Sequence, residues 1–126
     1  MLSNPNRARI LVVDDEKFIA DSLAAILQMK GYSAQAAYSA EEALPKAAAM
    51  APDILISDVM MGPMNGVQLA QHIVSLHPGC GVFLISGNDD AAGLLESAGK
   101  QGLNFPLLAK PIHPDELLCL LEKDSN

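Results

Sequence analysis

Five short apolar runs divide the chain, and a stretch of helical periodicity follows each one. Ile10-Leu11-Val12-Val13, Ile54-Leu55-Ile56 and Val82-Phe83-Leu84-Ile85 are continuous rather than alternating, the pattern of strands buried on both faces. Tyr32 to Ala37 is weaker and Ala-rich, which places it at or near a sheet edge. Phe105-Pro106-Leu107-Leu108 carries a proline that cannot donate to a ladder, so it also reads as an edge strand.

Between these runs, Ile19, Leu23, Ile26 and Leu27 predict a first helix that Gly31 ends. Ser39 with Glu42 predicts a capping box opening a second helix, with Pro45 inside it predicting a kink or a short first segment. Asn65 caps a third helix, whose Leu69, Ile73 and Leu76 share a face. Asp89 and Asp90 open a fourth helix weakened by Gly93 and closed at Gly99. Pro114, Asp115 and Glu116 begin a fifth, with Leu117, Leu118, Leu120 and Leu121 on its buried side. Strand and helix alternating five times predicts one α/β domain: a five-stranded parallel sheet with five helices on both faces and right-handed crossovers. Residues 1–8 read as a loose leader, 9–124 as the domain and 125–126 as a tail.

Composition narrows the function. The 126 residues carry 15 Asp and Glu against 8 Lys and Arg, a net charge of −7 that opposes binding to a phosphate backbone. With no Trp, two Tyr and three Phe, no stacking platform for bases exists, so no nucleic-acid partner is expected. No apolar stretch approaches a membrane span and no secretion signal stands at the N-terminus, so the expectation is a cytoplasmic protein with no membrane partner. Cys80 and Cys119 fit no metal spacing and read as buried thiols. His72, His77 and His113 are not spaced as a metal set and read as surface residues.

The chemistry collects where the apolar runs stop. The first run ends in Asp14-Asp15, the third in Asp58, the fourth in Ser86 and the fifth in Lys110. In an open parallel sheet these ends share one rim, where ligands bind. Singly, each residue has a plain explanation as a helix cap, a turn or a solvated side chain. Together, three carboxylates at one rim repel each other unless a cation sits among them, and oxygen donors with room for water suit Mg²⁺. A metal, a hydroxyl donor and an ammonium are the equipment for holding a phosphoryl group, with one carboxylate as its acceptor. Asp58, on the central run, is the natural acceptor.

The motifs Leu11-Val12-Val13-Asp14-Asp15-Glu16, Asp58 with Met61 and Met64-Asn65-Gly66, Ser86-Gly87 and Lys110-Pro111 occur in that order over nearly the whole chain. On these, the chain resembles a response-regulator receiver domain of two-component signalling. The resemblance implies a flavodoxin-like strand order 2-1-3-4-5, Asp58 as phosphoacceptor, and Asp15, Asp58 and the Met60 carbonyl as direct Mg²⁺ ligands, with Asp14 acting through water. Ser86 and Lys110 would stabilise the phosphoryl group, and the Lys110–Pro111 bond would be cis. A sensor histidine kinase or histidine phosphotransfer protein would be the donor. Phosphorylation would switch the surface of the fourth helix, fifth strand and fifth helix towards a downstream protein, with homodimerisation on activation as a further expectation. Such a domain is no enzyme beyond catalysing its own phosphorylation and dephosphorylation.

Three departures from the family accompany the match. Gly62 stands where the family usually has Pro, and Pro63 follows. Leu107 replaces the usual aromatic switch residue, with Phe105 on the same strand face as a partial substitute. Met60 and Asn88 occupy the two positions that tune phosphoryl hydrolysis; Asn88 can orient a water and Met60 cannot, which predicts a phosphoryl state that is not especially short-lived. Two rival readings are a degenerate receiver that binds a protein without phosphorylation, and an Mg²⁺-dependent aspartyl-phosphate phosphatase. The second needs an acidic residue where Met60 stands. Phe18, just past the acidic pair, reads as core or rim packing, with docking of a donor helix as its alternative.

Overall fold

A computed structural model describes residues 8–86, 107–109 and 113–124. Five parallel strands form one sheet: β1 (Arg9–Val13), β2 (Ser33–Ala37), β3 (Ile54–Asp58), β4 (Gly81–Ser86) and β5 (Leu107–Ala109). Their order is β2-β1-β3-β4-β5, with β3 in the middle and β2 and β5 at the edges. The helices among the described residues are α1 (Lys17–Met29), α2 (Ala40–Met50), α3 (Gly66–Leu76) and a C-terminal helix, Pro114–Asp124. The expected fourth helix, over Asp89 to Gly99, lies outside the described residues. So do Asn88, Phe105, Lys110 and Pro111.

The continuous apolar runs are buried on both faces because helices cover both. Ile10, Val12, Ile54, Ile56, Phe83 and Ile85 pack towards α1 and the C-terminal helix. Leu11, Val13, Leu55 and Leu84 pack towards α2 and α3. Alternate residues of one strand thus enter opposite cores, and truncating a fully buried Leu55 or Ile56 to Ala costs ~2–5 kcal/mol.

The helix ends follow their caps, with corrections. Gly31 takes φ 93° just after α1, a conformation that favours glycine. At α2 the Ser39 hydroxyl accepts from the Glu42 N–H at 3.0 Å, while the Glu42 carboxylate pairs with Lys46 at 3.3 Å. A full capping box instead opens α3, where Asn65 and Gln68 exchange side-chain and backbone bonds of 2.9 and 3.0 Å. Pro45 does not shorten α2, which runs as one helix through it. Buried Ala43, Ala47 and Met50 hold that helix on the sheet despite the missing backbone donor. Leu76 does not share the buried face of α3, being 63% exposed at the helix end. Cys80 is buried as expected, but Cys119 is exposed. Among the described residues no helix is long and apolar enough to cross a membrane.

Candidate functional site

The carboxyl ends of the three central strands bring the expected acids together. Asp14 directly follows β1, and its N–H continues the sheet by donating to the Ala37 carbonyl at 3.1 Å. Asp58 is the last residue of β3, registered opposite Ile85, and Ser86 is the last residue of β4. Asp14, Asp58 and Ser86 are buried, at 1%, 5% and 7% exposure. Asp15 is exposed, at the mouth of the site. The sheet therefore holds two carboxylates and a hydroxyl in fixed places, with a third carboxylate facing solvent.

Carboxylate oxygens of Asp14, Asp15 and Asp58 all lie within 4.8 Å of one another. Opposite ligands of an Mg²⁺ octahedron stand about 4.2 Å apart, so this spacing suits a small hard cation held partly through water. The donor set is all oxygen, which also favours Mg²⁺ over softer metals. Asp14 has a local task as well: its Oδ1 accepts the Glu16 N–H at 2.9 Å and turns the chain into α1. Glu16, the N-cap residue, makes no side-chain cap of its own.

The loop after Asp58 folds back on the strand it leaves. Val59 N–H donates to the Ile85 carbonyl at 2.9 Å, and Gly66 N–H to the Val59 carbonyl at 2.8 Å. A Cβ on Gly66 would overlap the Asp58 carbonyl oxygen and lie 3.0 Å from the Val59 Cα. Gly66 is thus required for close approach, a demand that only the coordinates reveal. Ser57, fully buried, donates to the Asp58 carbonyl at 3.0 Å. Sequence reasoning passed over Ser57, since a lone Ser inside an apolar run carries no signal. Gly62 has open space around it.

Met60, just past Asp58, exposes its side chain, and Met61 is buried. Leu107 lies on β5, where its backbone pairs with Leu84. Ser86 pairs with Ala109, the residue preceding Lys110 in the chain. Phe18 is not core packing: at the start of α1 it is 83% exposed.

Comparison with known proteins identifies the family. The response regulator receiver domain family matches residues 10–122. The chain belongs to that family. It is 32% identical over 116 residues to the nitrogen assimilation regulatory protein NtrX of Azorhizobium caulinodans, covering 90% of this chain and 25% of that protein. It is 33% identical over 111 residues to the response regulator MprA of Mycobacterium avium, covering 88% of this chain and 48% of that one. The receiver domain thus spans a quarter to a half of these relatives. Among solved structures, a receiver domain protein from Clostridium thermocellum superposes with a TM-score of 0.83 at 26% identity, covering 94% of each chain. A CheY-like receiver domain protein from Methanospirillum hungatei gives 0.81 at 27% identity, over 99% of this chain and 94% of that one. The fold is accordingly the flavodoxin-like α/β receiver fold.

Proposed function

We propose that this receiver domain takes a phosphoryl group on Asp58 in an Mg²⁺-dependent reaction. The observation that carries the proposal is the meeting of Asp14, Asp15 and Asp58 within 4.8 Å at one rim, two of them buried. Burying like charges together costs stability unless a cation joins them, so the arrangement makes sense as a metal-holding acceptor site. Asp15, Asp58 and the Met60 carbonyl would ligate Mg²⁺ directly, with Asp14 acting through water. The bound ion would neutralise phosphoryl oxygens. Asp58 supplies the nucleophilic oxygen: a P–O bond forms to its carboxylate as the P–N bond of a phosphohistidine donor breaks. Ser86 donates a hydrogen bond to the phosphoryl group, and Lys110 balances its charge.

The donor is a histidine kinase or histidine phosphotransfer protein, and exposed Phe18 beside the rim offers it an apolar contact. The domain turns over no external substrate and acts only on its own acyl phosphate. Charge added at Asp58 draws Ser86 and Lys110 inward and shifts the surface of the expected fourth helix, β5 and the C-terminal helix, where a downstream protein binds.

Intact-mass spectrometry after incubation with acetyl phosphate and Mg²⁺ tests this. One phosphoryl mass on the wild type, lost in Asp58→Ala and without Mg²⁺, is expected. No adduct on the wild type, or undiminished labelling of Asp58→Ala, would overturn it in favour of a receiver that binds partners without phosphorylation.

A further inference from the structure

The outer edge of β2 is an exposed end of the sheet, and the strand itself does nothing to protect it. Its sequence, Ser33-Ala34-Gln35-Ala36-Ala37, has no charge and no proline. Natural edge strands usually carry one or the other to prevent pairing with another chain. Ser33 N–H donates to the Ala8 carbonyl and Ala37 accepts from Asp14, so odd-numbered residues bond towards β1. Ala34 and Ala36 therefore turn their backbone groups outwards.

Both outward carbonyls are occupied. Gln28 Nε2, reaching from α1 on one face, donates to the Ala34 carbonyl at 2.8 Å. Lys46 Nζ, reaching from α2 on the other face, donates to the Ala36 carbonyl at 2.6 Å. Glu42 pairs with the same ammonium at 3.3 Å, holding it in place. The edge is not sealed by packing: an open cleft of about 360 Å³ runs along it, lined by Ala24, Ala34 and Ala36, with Gln28, Tyr38 and Lys46 also bordering it. What guards it is that both acceptors an added strand would use already carry a side-chain donor, which an incoming strand would have to displace or share.

We propose that Gln28 and Lys46 are edge guards that keep β2 from pairing with β2 of a second copy. The excluded partner is this chain itself because the strand is self-complementary. Two copies related by a two-fold axis would set Ala34 and Ala36 of one strand against Ala36 and Ala34 of the other in antiparallel register. This edge lies across the sheet from β5, so the proposal is independent of any phosphorylation-driven interface.

Two double variants test it by sedimentation velocity over a concentration series, with hydrogen exchange locating any contact. Gln28→Met with Lys46→Met keeps both side-chain stems and removes the donors, whereas Gln28→Ala with Lys46→Ala removes the stems too. Both pairs should self-associate at least about tenfold more tightly than the wild type, ~1.4 kcal/mol, with exchange slowed over residues 33–37. The proposal is overturned if neither pair associates more tightly than the wild type. It is equally overturned if slowed exchange falls outside β2, or if only the methionine pair associates, which would mark apolar stickiness. If the methionine pair no longer melts cooperatively, the alanine pair decides; if the alanine pair does not, Gln28→Ser with Lys46→Ser takes its place under the same criteria.

Discussion

Asp53 and Asp58 flank the same central strand and serve opposite ends of the sheet. At the amino end, Asp53 is a fastening. Its Oδ2 accepts the Arg9 backbone N–H at 2.9 Å and stands 3.7 Å from the Arg9 guanidinium. Its own N–H donates to the Arg9 carbonyl at 2.8 Å, and its carbonyl accepts from Gly81 at 2.9 Å. One acid thereby ties β1, β3 and β4 together. At the carboxyl end, Asp58 shares its rim with two further acids, all three offering carboxylate oxygens within 4.8 Å of one another. The contrast teaches where this fold keeps charge for structure and where it keeps charge against stability, and only the second needs a function to explain it.

The largest expected effect concerns Cys80, which lies near the Asp53 end. Burial, helped by the charge of Asp53, pushes its thiol up to about 11. At pH 8 only about one thiol in a thousand is then ionised, and the thiolate is the reactive form. Iodoacetamide should modify exposed Cys119 and leave Cys80 intact in the folded protein, as peptide mapping would report. Asp53→Asn should speed Cys80 labelling modestly, because it removes the smaller of the two causes; no change would mean the Asp53 charge does not reach that thiol.

Gly66→Ala comes next. A methyl group there meets the Asp58 and Val59 backbone, which cannot yield as a flexible side chain can. It should destabilise by about 1–3 kcal/mol in urea unfolding and also weaken phosphoryl labelling. Asp58→Asn should do the reverse to stability: without Mg²⁺ it should gain on the order of 1–2 kcal/mol by relieving like-charge repulsion, while labelling disappears. Asp53→Ala should lose about 1 kcal/mol, the worth of its contacts to Arg9, and leave labelling unchanged. If Asp58→Asn and Asp53→Ala shifted stability in the same direction, the contrast between the two ends would fail.

Much of this was readable beforehand, for identifiable reasons. Continuous apolar runs encode strands buried on both faces, and residues closing such runs share a rim, so the pattern alone sets Asp14, Asp15, Asp58 and Ser86 at one end of the sheet. Periodicity is silent about contacts that leave the pattern. Leu76 has the right spacing but sits past the point where α3 leaves the core, and Cys119 falls on the outer side of its helix. Pro45 predicts a break, yet the alanines around it pack closely enough to keep one helix. The bonds from Gln28 and Lys46 to the β2 carbonyls join a side chain to a backbone atom on another element, and no residue-type pattern announces them. Gly66 was visible as part of a motif, but its steric necessity emerges only where the loop folds onto Asp58.

Whether the acids at the carboxyl rim form one cation site is read most directly by a Mg²⁺ titration of the ¹⁵N-labelled domain followed by NMR. Saturable shifts at the amides of Asp14, Asp15, Asp58 and Ser86, absent from Arg9 and Asp53 and abolished in Asp58→Asn, are the predicted result. Shifts of equal size at both ends of the sheet, or none at the rim, would contradict it.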